Sequence, residues 1–116
     1  MKLFNILLVA FLLPVFGFAQ TIKIGSDLTI VHFNAGWNSA NDVEWIGELE
    51  NAKIKSCDIA IDTKAQSKYE IVVVPTIIIF NEGEEVKRYQ ADISFTMKAT
   101  LEEVQEKLNE IYGDDF

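Results

Sequence analysis

The feature that most constrains this chain is the run Leu28-Thr29-Ile30-Val31-His32-Phe33. It is β-branched, aromatic and apolar at both alternating sets of positions, so neither face of the strand it forms can be left against water. A strand covered on both sides needs a packing layer above and below the sheet, and helices on two faces are the expected solution. With 116 residues, 49% of them hydrophobic, the chain can bury one modest core, and one domain is expected.

The remaining elements fall around that strand. Thr21 to Ile24 can form a short extended segment, broken by the turn cluster Gly25-Ser26-Asp27. Ser39-Ala40-Asn41-Asp42 fits a capping box and predicts a helix to about Ala52, with Val43, Ile46 and Leu49 toward the sheet and Glu44, Glu48 and Glu50 toward water. Cys57 to Ile61 alternates as a second strand, Thr63 to Tyr69 reads as a helix of two turns, and Ile71-Val72-Val73-Val74-Pro75 leads into a third strand, Thr76 to Phe80. Asn81-Glu82-Gly83 is a tight turn, and Glu84 to Gln90 returns antiparallel as a fourth strand. Thr100 and Glu103 form a second capping box, opening a helix with Leu101, Val104, Leu108, Ile111 and Tyr112 along one stripe. Gly113 is the expected C-cap, and residues 114–116 a frayed tail. The order combines a parallel crossover with a hairpin.

The first nineteen residues read as an export signal: Met1-Lys2 is a positive start, Leu3 to Phe16 a largely apolar run, and Gly17-Phe18-Ala19 a small-residue cleavage site before Gln20. The apolar run is shorter than the roughly 20 residues a spanning helix needs. The expected division is therefore a signal peptide over 1–19 and one domain over 20–116, periplasmic or extracellular, with no membrane attachment after cleavage. The formal net charge is −8, and loss of Lys2 with the leader makes it one unit more negative. Such a surface repels phosphate backbones, which excludes nucleic acid as a natural partner.

One cysteine, Cys57, cannot form an internal disulfide, and with one histidine, His32, it leaves too few soft ligands for structural zinc. No metal or other cofactor is expected. His32 reads as a core histidine with a hydrogen-bonded partner, since its neighbours are apolar and no nucleophile adjoins it; a Ser39–His32 couple lacks a third member. Cys57 reads as a small buried hydrophobe, with a reactive monothiol as the alternative.

The element order and three segments resemble the thioredoxin family over about residues 28 to 112. These are Val31-His32-Phe33-Asn34-Ala35-Gly36-Trp37, Lys68 to Thr76 with its proline, and the turn Asn81-Glu82-Gly83-Glu84. The resemblance implies a thioredoxin-like α/β fold: a central mixed sheet of about four strands with helices on both faces, lacking the family's first strand and helix, which leaves one sheet edge open to a partner chain. It places Trp37 at the family's active-site tryptophan, His32 at its buried acid and Pro75 at its cis-proline. After Trp37, however, Asn38-Ser39-Ala40-Asn41 stands where the family carries Cys-x-x-Cys, and disulfide exchange needs both of those thiols.

The resulting expectation is a redox-inactive, non-enzymatic module with no catalytic residues. It would bind protein or an extended peptide through Trp37, Asn38, Ser39, Ala40, Asn41, Val74 and Pro75, with an anionic group at the helix start as another ligand that patch could take. The rivals are an exchanger using Cys57, another oxidoreductase activity of the family, a hydrolase-like site using His32 and Ser39, and a structural subunit of an envelope assembly. The oligomeric state is not legible in the sequence.

Overall fold

The computed structural model describes residues 21–114. The expected signal peptide over 1–19, Gln20 and residues 115–116 lie outside the described residues. Four strands form one sheet: β1 (Thr29–Asn34), β2 (Lys53–Asp58), β3 (Thr76–Asn81) and β4 (Glu84–Gln90), in the order β2-β1-β3-β4. β1 runs parallel to β2 and antiparallel to β3, so the sheet is mixed. Two α-helices accompany it, α1 (Thr63–Lys68) and α2 (Leu101–Asp114).

β1 is buried along its whole length, as its two-sided apolar pattern demands. Val31 and Phe33 face a core shared with Ile78, Phe80, Ala65 and Ile71. Ile30 faces the opposite core, with Ile77, Ile79, Val104 and Leu108. Each of the large apolar side chains so buried contributes about 1.5–3 kcal/mol, and the two layers together make β1 and β3 the centre of the molecule. Tyr69, at the end of α1, closes the first core, its ring 5.6 Å from Phe33 and 5.5 Å from Phe80.

Both α-helices begin at a side-chain cap. Asp62 caps α1 by accepting from the Ala65 N–H. In front of α2 the Thr100 N–H donates to Glu103 and the Glu103 N–H donates to Thr100 Oγ1, a complete capping box. Val104, Leu108 and Ile111 are buried below it, whereas Tyr112, expected in the same stripe, is exposed. The helix also continues through Gly113 to Asp114. In the hairpin, Glu82 and Gly83 both have positive φ, 53° and 82°, the requirement of a two-residue primed turn, and glycine meets it at the second position without strain.

Three expectations are corrected. The segment after β1 is not one α-helix to Ala52 but two 3₁₀ turns, Gly36–Asn41 and Glu44–Glu48, and neither has a side-chain N-cap. The second strand is not 57–61 but Lys53–Asp58, because pairing with β1 from Thr29–Lys53 to Asn34–Asp58 sets its limits. Thr21 to Ile24 forms no strand; Ile22 and Ile24 pack onto the first core while the Ile22 N–H donates to Asp62. β2 therefore stands at a sheet edge, where Lys53 and Lys55 are the kind of side chains that discourage edge-to-edge pairing. No helix among the described residues is long and apolar enough to cross a membrane.

Candidate functional site

β1 ends at Asn34, and the chain turns through Ala35 and Gly36 into the first 3₁₀ segment, which carries Trp37 outward and Asn38 inward. Trp37 is 67% exposed and Asn38 is buried. The Asn38 amide is the hub of a polar network. Its Nδ2 donates to Asn34 Oδ1 at 3.1 Å and makes longer contacts, 3.4 Å, with the carbonyls of Val74 and Phe95. Its Oδ1 accepts from Asn41 Nδ2 at 2.9 Å. Asn34 Nδ2 in turn donates to the Asn38 carbonyl and to the Asp42 carboxylate. Every buried side-chain polar atom among the described residues has a partner, so the network is closed and rigid rather than poised to react.

This network explains the lost helix. Asn and Ser side chains that bond to nearby backbone compete with helical hydrogen bonds. Here Asp42 is drawn to Asn34 instead of to the helix start, and the Val43 N–H donates to His32 Nε2 at 3.3 Å. That bond also sets the state of His32: an accepting Nε2 must be unprotonated, and burial pushes the imidazole pKa down, with Asp42 opposing. No hydrogen bond joins His32 to Ser39 among the described residues, and Ser39 is exposed.

Cys57 lies near the end of β2, not at the start of a strand, and is buried. Burial first, then the charge and hydrogen bond of Asp62, push its thiol up to about 11. A thiol so raised stays protonated at neutral pH, the reverse of a reactive cysteine.

The Val74–Pro75 bond is cis, and it sits against Asn38. Pro75 is fully buried and Val74 nearly so. Among the described residues the Val74 N–H donates to no carbonyl or side chain. In front of Val74 opens a small cleft of about 90 Å³ between Trp37, Phe95, Val72 and Ile71. The indole and the Phe95 ring meet edge to face at 5.5 Å, and Val72 is 81% exposed.

The seven residues singled out in the sequence are thus neighbours, but they do not line one surface. Trp37 and Val74 border the apolar cleft, Ser39 borders a second cleft, and Ala40 and Asn41 border a third with Trp45 and Met97. Asn38 and Pro75 are internal. An anionic ligand at the turn is not supported, because the Gly36 N–H already faces the Asp58 carboxylate at 3.3 Å and Asp42 stands nearby. Phe95 has no local sequence signal: it occupies a turn at φ 64°, brought to Trp37 only by the fold. Asn34 had one, a polar residue closing an apolar strand four positions before Asn38.

No family model matches the chain. The thioredoxins of two strains of Staphylococcus epidermidis are each 30% identical to it over 92 residues, which span 73% of this chain and 86% of the relative. The chain belongs to the thioredoxin family. Solved structures agree at the level of fold: a mutant thioredoxin from Halobacterium salinarum superposes with a TM-score of 0.59 at 20% identity over 73% of this chain and 74% of that one. Thioredoxin from Schistosoma mansoni also gives 0.59, at 20% identity over 76% and 80%. Against that family this member has a single cysteine, on β2, and therefore no Cys-x-x-Cys pair; Asn38 and Asn41 occupy the turn after Trp37.

Proposed function

We propose that this chain is an exported, redox-inactive member of its family that binds an extended protein or peptide segment at the Trp37–Val74 groove and catalyses nothing. The observation that carries the reading is the juxtaposition of a free Val74 N–H with an exposed, aromatic-walled cleft. An extended segment can take the main-chain donor while one of its side chains fills the space against Trp37 and Phe95. Large apolar side chains exposed together, Trp37, Val72 and Phe95, with the nearby Ile93 on the same loop as Phe95, are the surface features that mark interaction sites. Asn38 supports the turn that presents them and supplies no electrons.

Four measurements test this. The purified domain should not reduce a model disulfide; turnover comparable to that of a dithiol thioredoxin would end the reading. Native-state labelling of Cys57 should be slow and should accelerate on unfolding, since burial and Asp62 both oppose the thiolate. Mass analysis of the protein from its host should find an N-terminus at Gln20 in an extracytoplasmic fraction. For binding, Trp37→Ala should weaken association with peptides that the parent protein retains.

A further inference from the structure

The cleft bordered by Ser39 adjoins the apolar groove along the chain, since Gly36 precedes Trp37 and Asp58 precedes Ile59. It has about 320 Å³ and is lined by Gly36, Ser39, Asp42, Ser56, Cys57 and Asp58 among others, with no lysine or arginine in its wall. Asp58 Oδ1 is used by the Gly36 and Ala60 N–H groups, at 3.3 and 2.9 Å, while Oδ2 accepts no hydrogen bond among the described residues and rests over the bare face of Gly36. Asp42 Oδ1 accepts from Asn34, and its other oxygen is also without a donor. Neither carboxylate has an ion pair among the described residues. The basic side chain bonded nearest, His32, is held neutral by its role as acceptor from Val43. The lysines and the arginine that do form ion pairs are engaged elsewhere, with Asp27, Glu85, Asp92 and Glu110.

We propose that the segment accepted by the groove is cationic, placing an apolar side chain in the Trp37–Phe95–Val72 cleft and a lysine or arginine in the adjoining cleft between Asp42 and Asp58. The proposal rests on the groove reading and adds the chemistry of the partner. Charge complementarity selects it: the chain carries a net charge of −8, the two carboxylates flanking the turn each retain an unused oxygen, and a third, Glu44, lies beside Asp42 in the cleft with Trp45. Gly36 lets Asp58 approach the turn closely, because a Cβ there would lie 3.3 Å from Asp58 Oδ2. A second copy of the chain fits poorly, since it brings the same negative charge.

The test uses fluorescent peptides with one apolar core and, one to four residues away, lysine, glutamine or glutamate. Anisotropy is read at low and high salt. The lysine peptides should bind about tenfold more tightly than the glutamine peptides at their best spacing, and the advantage should vanish in high salt. Asp58→Asn should remove that advantage, read as the ratio of lysine-peptide to glutamine-peptide affinity; Ser56→Lys, on the exposed rim, should do the same if Asp58→Asn fails to fold. Trp37→Ala should weaken all the peptides alike. Equal binding of lysine and glutamine peptides that still depends on Trp37 overturns the cationic partner and spares the groove. Absence of binding, or binding indifferent to Trp37→Ala, removes both. Tighter binding of glutamate peptides, or self-association that displaces the lysine peptides, also overturns the proposal.

Discussion

The chain contains two capping-box patterns, Ser39-Ala40-Asn41-Asp42 and Thr100-Leu101-Glu102-Glu103, and they have opposite outcomes. At Thr100 both reciprocal bonds form and a fourteen-residue helix follows. At Ser39 neither forms: the segment is a 3₁₀ turn without a side-chain cap, and Asp42 ends it instead of anchoring its first turn. The difference lies in what surrounds each box. Thr100 and Glu103 are solvent-facing, with no other partner to claim them, and the residues that follow are strong helix formers. Ser39 is followed by Asn41 and preceded by Gly36 and Asn38, weak helix formers whose amides find better partners in the fold: Asn34 below, Val74 and Phe95 beside. A capping motif is thus an offer that the backbone takes up only when tertiary contacts do not outbid it.

The comparison can be broken at several points. The largest effect should come from the packing under the intact helix: Leu108→Ala, at a fully buried position, should cost about 2–5 kcal/mol in urea unfolding. Next is the hub of the other segment. Asn38→Ala strands Asn34 Oδ1 and Asn41 Nδ2 and should cost about 1–3 kcal/mol; a cost near zero would mean that the network does not hold the turn. The caps themselves give the sharpest contrast. Thr100→Ala should lose about 1 kcal/mol, whereas Ser39→Ala should stay within about 0.5 kcal/mol, and equal losses would show that both boxes form in solution.

The smallest effect is a pH dependence. His32 has its folded pKa below the ordinary 6.5, so the unfolded chain binds the proton more readily. Its contribution is present above pH 6.5 and is lost as pH falls through the window below that value. Thermal melts should therefore drop in midpoint from pH 7 to pH 5, and His32→Gln, with no imidazole to titrate, should flatten the slope.

Much of the fold was legible because it depends on patterns that a chain carries locally. The two-sided apolar run of β1 demanded layers on both faces, and both cores are there. The Thr100 box needed no distant partner, and the Glu82-Gly83 turn was marked by its own residues, although the Glu82 N–H also donates to the Ser26 carbonyl at 3.1 Å. Trp37 and Val74 were legible as neighbours through the family resemblance. The apolar cleft was not, since Phe95 reaches Trp37 from 58 positions away in sequence. The limits of β2 were equally hidden, because an edge strand with two lysines among its six residues has little hydrophobic pattern of its own and borrows its register from β1.

By itself, then, the sequence determined the number of sulfurs, the buried strands, the hairpin and the last helix, all properties of composition or of residues a few positions apart. Tertiary structure alone decided that Asn38 would be buried, that Asp42 would serve Asn34 instead of a helix, and that Asp58 would face Gly36. Those outcomes depend on which donors and acceptors meet across strands and loops, and a polar side chain settles on whichever partner the completed fold leaves within reach.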